Sequence, residues 1–214
     1  PSHQFPTGKV MPVGQRYKLL DWAVQEDGLI IEDDYDSELR YEGRPIPALQ
    51  GLDRSDRVIY LGALSKVLPF FVRISYLVLP DPLMDMYRRE RSLFRQSASV
   101  PEQCVLAEYI RSGEMRKQIR RLRRLYQEKG RKTEYLLQAY FGTAVEVSRV
   151  VSGVHCQIAF ASPLSETELT EAAKREGCLV LPMESFYEKH IDNGVRRFLL
   201  SFRSEEHTSE LQSH

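Results

Sequence analysis

Three short apolar runs, each ending at polar residues or a turn residue, constrain the fold more than any other feature. They are Leu29-Ile30-Ile31, Val58-Ile59-Tyr60-Leu61 and Arg73-Ile74-Ser75-Tyr76-Leu77-Val78-Leu79. Their length and β-branched content predict buried strands. Helical periodicity covers residues 15–27 and begins again near residue 81. Strands that alternate with helices predict an α/β fold, in which a mostly parallel sheet is buried on both faces.

The character of the chain changes from residue 101 onwards. A long helical pattern at residues 114–140 gives way to short strand patterns near residues 145–147, 156–160 and 178–181. A further helix is predicted at residues 165–176, where Ser165 and Glu168 have the spacing of a capping box. We therefore predict one domain at residues 1–113 and a smaller α+β domain at residues 114–202.

The last residues, 203–214, have one aliphatic side chain and no periodicity. A solvated terminus is one interpretation of this segment. The segment also resembles the in-frame translation of a common sequencing-adapter oligonucleotide. We favour the second interpretation and expect a non-native tail.

Composition limits the binding partners and the cellular compartment expected for the protein. Thirty basic and thirty acidic residues leave no net charge, so there is no overall attraction to nucleic acid or membrane. No apolar run is long enough to span a bilayer. The three dispersed cysteines lack metal-ligand spacing, and we expect buried thiols in a reducing compartment, the cytoplasm. No metal site is predicted.

The basic stretch from Arg116 to Leu125 has two interpretations. It has the charge of a nucleic-acid patch. It also fits the solvent-exposed face of an amphipathic helix whose buried stripe contains Met115, Ile119, Leu122 and Tyr126. We favour the helix, because no aromatic residues alternate with the arginines to stack on bases.

Ligands of open α/β sheets bind at the carboxyl ends of strands, which directs attention to two places. Asp33 and Tyr35 follow the first run, whereas Ser65, Lys66 and Arg73 lie between the second and the third. A lysine amine forms a Schiff base with an aldehyde, and an aspartate keeps a pyridine nitrogen protonated. Tyrosine suits a ring hydroxyl, while serine and arginine suit a phosphate. Together these residues predict a site for a phosphorylated pyridine aldehyde.

Each of these residues also has a simpler interpretation. Ser65-Lys66 alone is typical of a surface dipeptide, and Arg73 of a buried ion pair. The aspartates Asp33, Asp34 and Asp36 are compatible with a turn cluster or a cation site. Residue types and spacing leave these alternatives open.

A longer series of motifs resembles one family in order and spacing. The motifs are the opening Pro1-Ser2-His3-Gln4-Phe5-Pro6-Thr7-Gly8, then Ile31-Glu32-Asp33-Asp34-Tyr35-Asp36-Ser37-Glu38, Ile46-Pro47-Ala48-Leu49-Gln50, Val58-Ile59-Tyr60-Leu61-Gly62, Ser65-Lys66 and Arg73-Ile74-Ser75-Tyr76. They resemble the MocR/GabR-like regulators of the GntR superfamily, and the match extends from Pro1 to Phe202. These regulators carry a fold-type I, aminotransferase-like domain behind a winged-helix DNA-binding domain.

The resemblance implies both a fold and a set of roles. The chain would hold the second half of a pyridoxal-phosphate-binding large domain, followed by the small C-terminal domain. Lys66 would form the Schiff base, Asp33 would contact the pyridine nitrogen and Tyr35 the O3′ oxygen, and Ser65 and Arg73 would help to hold the phosphate. The implied partners are an amino-acid-like effector, a second copy in a homodimer, and DNA through a winged helix outside this chain.

The chain also departs from the family pattern. Phe5 stands where ordinary aminotransferases carry an asparagine, which favours a regulator over the alternative, a catalytic class I/II aminotransferase. Ser185 stands where the GABA-responsive member carries a carboxylate-binding arginine. The segment Phe198-Leu199-Leu200-Ser201-Phe202 lacks the arginine that binds substrate in true aminotransferases, and we expect Arg196 and Arg197 to face solvent. These departures argue against GABA as effector and predict weak or vestigial transamination.

Further departures lie in the lysine loop, where Ala63 and Pro69-Phe70-Phe71-Val72 replace the usual hydroxyl residue and Pro-Gly. Ala63 would remove one phosphate hydrogen bond.

A chain with half of the large-domain sheet is also expected to expose apolar surface.

Overall fold

The computed structural model describes residues 4–43, 46–69, 72–93, 97–150, 152–188 and 194–202. The predicted tail and Phe70-Phe71 lie outside the described residues. The chain divides into two compact units, one formed by Pro1–Gln4 and Lys9–Leu122 and the other by Phe5–Gly8 and Arg123–His214. This division falls within a long helix that begins at Glu114, the predicted domain boundary.

The first unit has α/β architecture. Its elements are α1 (Val13–Gln25), β1 (Ile30–Asp34), α2 (Leu49–Leu52), β2 (Val58–Ala63), β3 (Ser75–Val78), α3 (Asp81–Arg89) and α4 (Val100–Arg111), with short 3-10 turns at Ser37–Leu39 and Arg91–Leu93. Within the described ranges, the sheet has the order β1-β2-β3. β1 and β2 are parallel, and β3 is antiparallel to β2. The predicted α/β class is confirmed, with a mixed sheet in this part of the chain.

One face of this sheet carries the core of the first unit. The core joins α1 and α2 to the strands through Leu20, Ala23, Ile30, Leu49 and Val58. Burial of these aliphatic side chains stabilises the packing of both helices on β1 and β2.

The opposite face of the sheet is open. Residues along β1 alternate between buried and exposed, and Ile31 is 66% exposed. Pairing along the sheet places Ile59, Leu61 and Leu77 on the same side as Ile31, and Leu77 is 57% exposed. The prediction of strands buried on both faces is therefore wrong for the described structure, because α1 and α2 cover only one face. The apolar surface expected for a partial sheet is present here.

The second unit is built around an antiparallel sheet. Its elements are most of α5 (Glu114–Phe141), then β4 (Glu146–Val147), β5 (His155–Ala161), α6 (Glu166–Arg175), β6 (Leu181–Pro182) and β7 (Val195–Ser201), with 3-10 turns at Gly142–Ala144 and Met183–Phe186. The order in the described residues is β4-β5-β7-β6. The capping box of Ser165 and Glu168 is confirmed at the start of α6.

A buried glutamate links three elements of the second unit. The carboxylate of Glu166 accepts the backbone N–H of Glu184 at 2.9 Å and that of Arg197 at 2.8 Å. Arg196 is also buried, and its Nε donates to the carbonyl of Leu164 at 2.6 Å. The expectation that both arginines face solvent is wrong for Arg196, whose side chain is buried and whose Nε–H donates to this carbonyl.

Other surface predictions have mixed outcomes. The arginines of α5 from Arg116 to Arg124 are exposed and Tyr126 is buried, which agrees with an amphipathic helix. Cys156 is buried as expected, but Cys104 and Cys178 are exposed, contrary to the prediction. None of the helices described here combines the length and the apolar content needed to cross a membrane.

Candidate cofactor site

The candidate lysine lies on a tight turn after β2. The backbone N–H groups of Val67 and Leu68 donate to the carbonyl of Leu64 at 3.1 and 3.0 Å. The side chains of these three residues are buried. These aliphatic residues anchor the turn in the core. Ser65 and Lys66, which lie between them in sequence, are half-buried.

The segment before β3 is joined to the same turn. The N–H of Leu64 donates to the carbonyl of Ile74 at 3.1 Å, and Ile74 is buried. Arg73 precedes Ile74 and is exposed. This hydrogen bond brings the backbone of Arg73 close to the turn that carries Ser65 and Lys66.

The end of β1 supplies the remaining candidates. Parallel pairing places Asp33 opposite Leu61 and Asp34 opposite Gly62, so β1 and β2 end side by side. Asp33 is exposed on the open face, and Tyr35 is half-buried. Burial raises the pKa of Tyr35, and the neighbouring aspartates act in the same direction. The Tyr35 hydroxyl is therefore protonated throughout the neutral pH range, as an ordinary tyrosine is.

The other two aspartates of this segment are buried. Asp34 accepts the hydroxyl of Tyr60 at 2.5 Å and the N–H of Ser37 at 3.2 Å. Burial raises the pKa of Asp36 to about 7, with a further increase from Asp34 and an opposing effect of Lys66. The charge of Lys66 therefore acts on a carboxyl group that closely follows β1.

The cation-site alternative finds no support in this geometry. Asp33 and Asp34 point to opposite faces of β1, because successive side chains of a strand alternate. Across the described ranges, no group of three His, Cys, Asp or Glu residues is arranged to hold a metal ion.

Two buried charged residues, Glu32 and Arg16, are not among those that the sequence patterns predict as functional. Glu32 accepts the backbone N–H groups of Leu49 and Gln50 at 2.8 and 3.0 Å. Arg16 donates to the carbonyls of Met11 and Pro47 at 3.0 and 2.5 Å. Burial lowers the pKa of Arg16, and Glu32 opposes that effect. The available signal was a glutamate directly after Ile30-Ile31, since a buried carboxylate requires donors.

The opening loop packs within the second unit. The ring of Phe5 lies 5.1 Å from that of Phe186 and 6.1 Å from that of His155, both in edge-to-face geometry. Gln157 Nε2 donates to the carbonyl of Pro6 at 2.6 Å. Phe5, predicted to stand at the asparagine position of ordinary aminotransferases, therefore makes aromatic contacts. The hydroxyl of Ser185 donates to the carbonyl of Pro182 at 2.8 Å.

Comparison with known proteins shows what the chain is similar to. No family model matches the chain. The Bacillus subtilis (strain 168) "Uncharacterized HTH-type transcriptional regulator YdeL" is 42% identical over 190 residues, which cover 89% of this chain and 41% of that protein. The Rhizobium meliloti "Probable rhizopine catabolism regulatory protein MocR" is 36% identical over 86% of this chain and 37% of its own length. Over most of its own length, the chain is therefore similar to part of MocR-type regulators.

The fold of the chain is aminotransferase-like. The crystal structure of Pyrococcus horikoshii kynurenine aminotransferase in complex with PMP superposes with a TM-score of 0.79 at 26% identity. The match covers 95% of this chain and 50% of that one. The predicted fold-type I architecture is therefore confirmed. The chain spans about two fifths of the length of the MocR-type relatives described above.

Proposed function

We propose that the chain is part of the pyridoxal-phosphate-binding, effector-sensing domain of a MocR/GabR-type regulator, with Lys66 as the cofactor lysine. The main support is the position of the Lys66 turn at the carboxyl end of β2, beside the Asp33 end of β1. The likeness to an aminotransferase in complex with PMP supports the choice of cofactor.

The residues present fit the functional groups of pyridoxal phosphate. Bound cofactor supplies an aldehyde and an electron-withdrawing ring, and condensation of the aldehyde with an amine releases one water. Lys66 is the amine in this proposal, and Asp33 is the carboxylate that accepts the pyridine N–H. Tyr35, whose hydroxyl is protonated at neutral pH, donates to the ring oxygen. Ser65 and Arg73 hold the phosphate.

The proposal extends to partners. An amino-acid-like effector displaces the Lys66 amine, and the change in this domain is transmitted to a winged-helix DNA-binding domain in the same protein. A homodimer in the cytoplasm is part of the proposal. The regulator names of the relatives support this interpretation.

A catalytic aminotransferase is the second candidate, and the kynurenine aminotransferase neighbour favours it. Two features of the chain favour the regulator. Phe5 occupies the asparagine position of ordinary aminotransferases, and the strand segment from Phe198 to Phe202 contains no arginine.

The test uses the product of the complete gene, defined by sequencing the DNA on both sides of this reading frame. Wild type, Lys66→Ala and the surface control Lys18→Ala are purified with pyridoxal phosphate. We expect wild type and Lys18→Ala to show the near-visible absorbance of lysine-bound cofactor, and Lys66→Ala to lose it. Borohydride reduction followed by peptide mass analysis should place the adduct on Lys66.

Two outcomes would contradict the cofactor assignment. Folded wild type without the absorbance band would exclude cofactor binding, and a band retained by Lys66→Ala would exclude the lysine assignment. An assay with amino donors and 2-oxo acids separates the two candidates. Rapid turnover in a protein without a winged-helix domain would establish the enzyme instead.

A further inference from the structure

A hydrogen-bonded pair on the covered face of the sheet joins the two strand ends of the candidate site. The hydroxyl of Tyr60, on β2, donates to the carboxylate of Asp34, the last residue of β1, at 2.5 Å. The other oxygen of Asp34 accepts the N–H of Ser37 at 3.2 Å. Asp34 is buried, so each of these bonds replaces a bond to water.

A second contact reinforces this pair from β3. The rings of Tyr60 and Tyr76 lie 6.1 Å apart. Tyr76 also covers Gly62, since a Cβ atom added at Gly62 would lie 2.2 Å from Cζ of Tyr76. A side chain at position 62 would therefore displace the ring. The tyrosine ring thus packs against the end of β2, immediately before the turn that carries Lys66.

The surroundings of Tyr60 keep its hydroxyl protonated. Burial raises the pKa of Tyr60, and the hydrogen bond to Asp34 raises it further. The hydroxyl therefore remains a donor across the neutral range, and a hydrogen bond to a carboxylate is stronger than one between neutral groups.

We propose that Tyr60 and Asp34 are positioning residues that set the separation between Asp33 and Lys66. This inference rests on the proposed function. Asp34 lies between Asp33 and Tyr35 in sequence, so holding its carboxylate fixes the backbone from which both neighbours project. Tyr60 lies on the strand that leads to Lys66. A cofactor site needs its side chains held within a fraction of an ångström of their working positions. The hydrogen bond between Tyr60 and Asp34 holds the two strands together in this way.

Tyr60→Phe removes one oxygen atom and preserves the ring, which makes it the main test variant. In the product of the complete gene, we expect the apparent Kd for pyridoxal phosphate to rise about tenfold, the scale of one hydrogen bond to a charged group. We also expect the pH midpoint of the near-visible band to shift by about half a unit, because Asp33 no longer faces the ring correctly. A loss of global stability alone would not move this midpoint.

Two further variants complete the design. Gly62→Ala, which displaces Tyr76, is expected to shift the midpoint in the same direction as Tyr60→Phe. Tyr17→Phe, on the exposed side of α1, serves as the matched control and should behave like wild type.

The outcomes separate this inference from the proposed function. A Lys66-dependent band with unchanged Kd and midpoint in Tyr60→Phe would overturn the positioning role and leave the cofactor assignment intact. No band in folded wild type would overturn both, because there would be no cofactor site to position.

Discussion

Replacement of Glu32 by alanine is the perturbation whose cost the structure defines best. The carboxylate accepts two backbone N–H groups at the start of α2, at 2.8 Å from Leu49 and 3.0 Å from Gln50. It is also the acidic group that acts on buried Arg16. Glu32→Ala therefore removes two acceptors and the compensating charge in a single change.

The expected cost follows from these contacts. The buried N–H of Leu49, left without a partner, costs about 1–3 kcal/mol, whereas Gln50 is exposed and its N–H can bond to water. Loss of the negative charge that acts on buried Arg16 adds to this cost. The full cost is not reached, because α2 is only four residues long and its first turn can move toward water, where its N–H groups find new partners. We therefore expect Glu32→Ala to lower the free energy of unfolding by about 3 kcal/mol. Glu32→Gln retains one carbonyl acceptor and should cost less.

Urea unfolding of the complete gene product, followed by far-ultraviolet circular dichroism, measures this cost. Glu26→Ala is the matched control, because Glu26 lies exposed at the end of α1 and its replacement should change stability by less than about 0.5 kcal/mol. If Glu32→Ala unfolds at the same urea concentration as Glu26→Ala, the carboxylate does not anchor α2 and the reasoning from its hydrogen bonds is wrong.

Two further predictions concern the helix cap and the buried aspartate. Ser165→Ala removes the side chain that accepts the Glu168 N–H at 3.2 Å, and should lower the free energy of unfolding by about 1 kcal/mol, measured by urea unfolding. An unchanged unfolding midpoint would exclude a stabilising role for the cap. The Asp36 carboxyl has a pKa of about 7 in the fold against 3.8 ordinarily, so the folded state retains a proton that the unfolded state loses. Stability should therefore fall as the pH rises from about 4 through 7, and Asp36→Asn should flatten this decline when midpoints at pH 5 and 8 are compared. An equal decline in both proteins would contradict the assignment to Asp36.

Local patterns were sufficient to predict the order and position of most elements. The helix predicted at residues 114–140 is α5, which ends one residue later at Phe141. The Ser165 cap was also predicted correctly, because a capping box is a local arrangement of four residues. The strand predicted at residues 178–181 is much shorter, since β6 contains only Leu181 and Pro182.

Properties that depend on distant segments were not predictable in the same way. An apolar strand residue such as Ile31 or Leu77 has the same local pattern whether or not a helix covers it. The sequence therefore suggested strands buried on both faces, whereas α1 and α2 cover one face only. Arg196 was expected to face solvent for a similar reason, since its partner is the carbonyl of Leu164, 32 residues away.

The candidate site combines both kinds of information. Residue types identified Asp33, Tyr35, Ser65, Lys66 and Arg73 as a possible set, and their roles stay predictions. The hydrogen bond from Leu64 to Ile74, which connects the Lys66 turn to the Arg73 segment, depends on the antiparallel return of β3. No local pattern contains that pairing.

The alternation of β1 explains how adjacent acidic residues can have different roles. Glu32 and Asp34 point to the covered face, where backbone N–H groups and the Tyr60 hydroxyl occupy their oxygens. Asp33 lies between them and points to the open face. The two inward carboxylates hold the strand in place, and the strand holds Asp33. A one-residue shift in the β1–β2 register would exchange these faces, placing Asp33 against the helices and removing the anchors. The same hydrogen bonds that stabilise the fold thus leave one carboxylate available for a ligand.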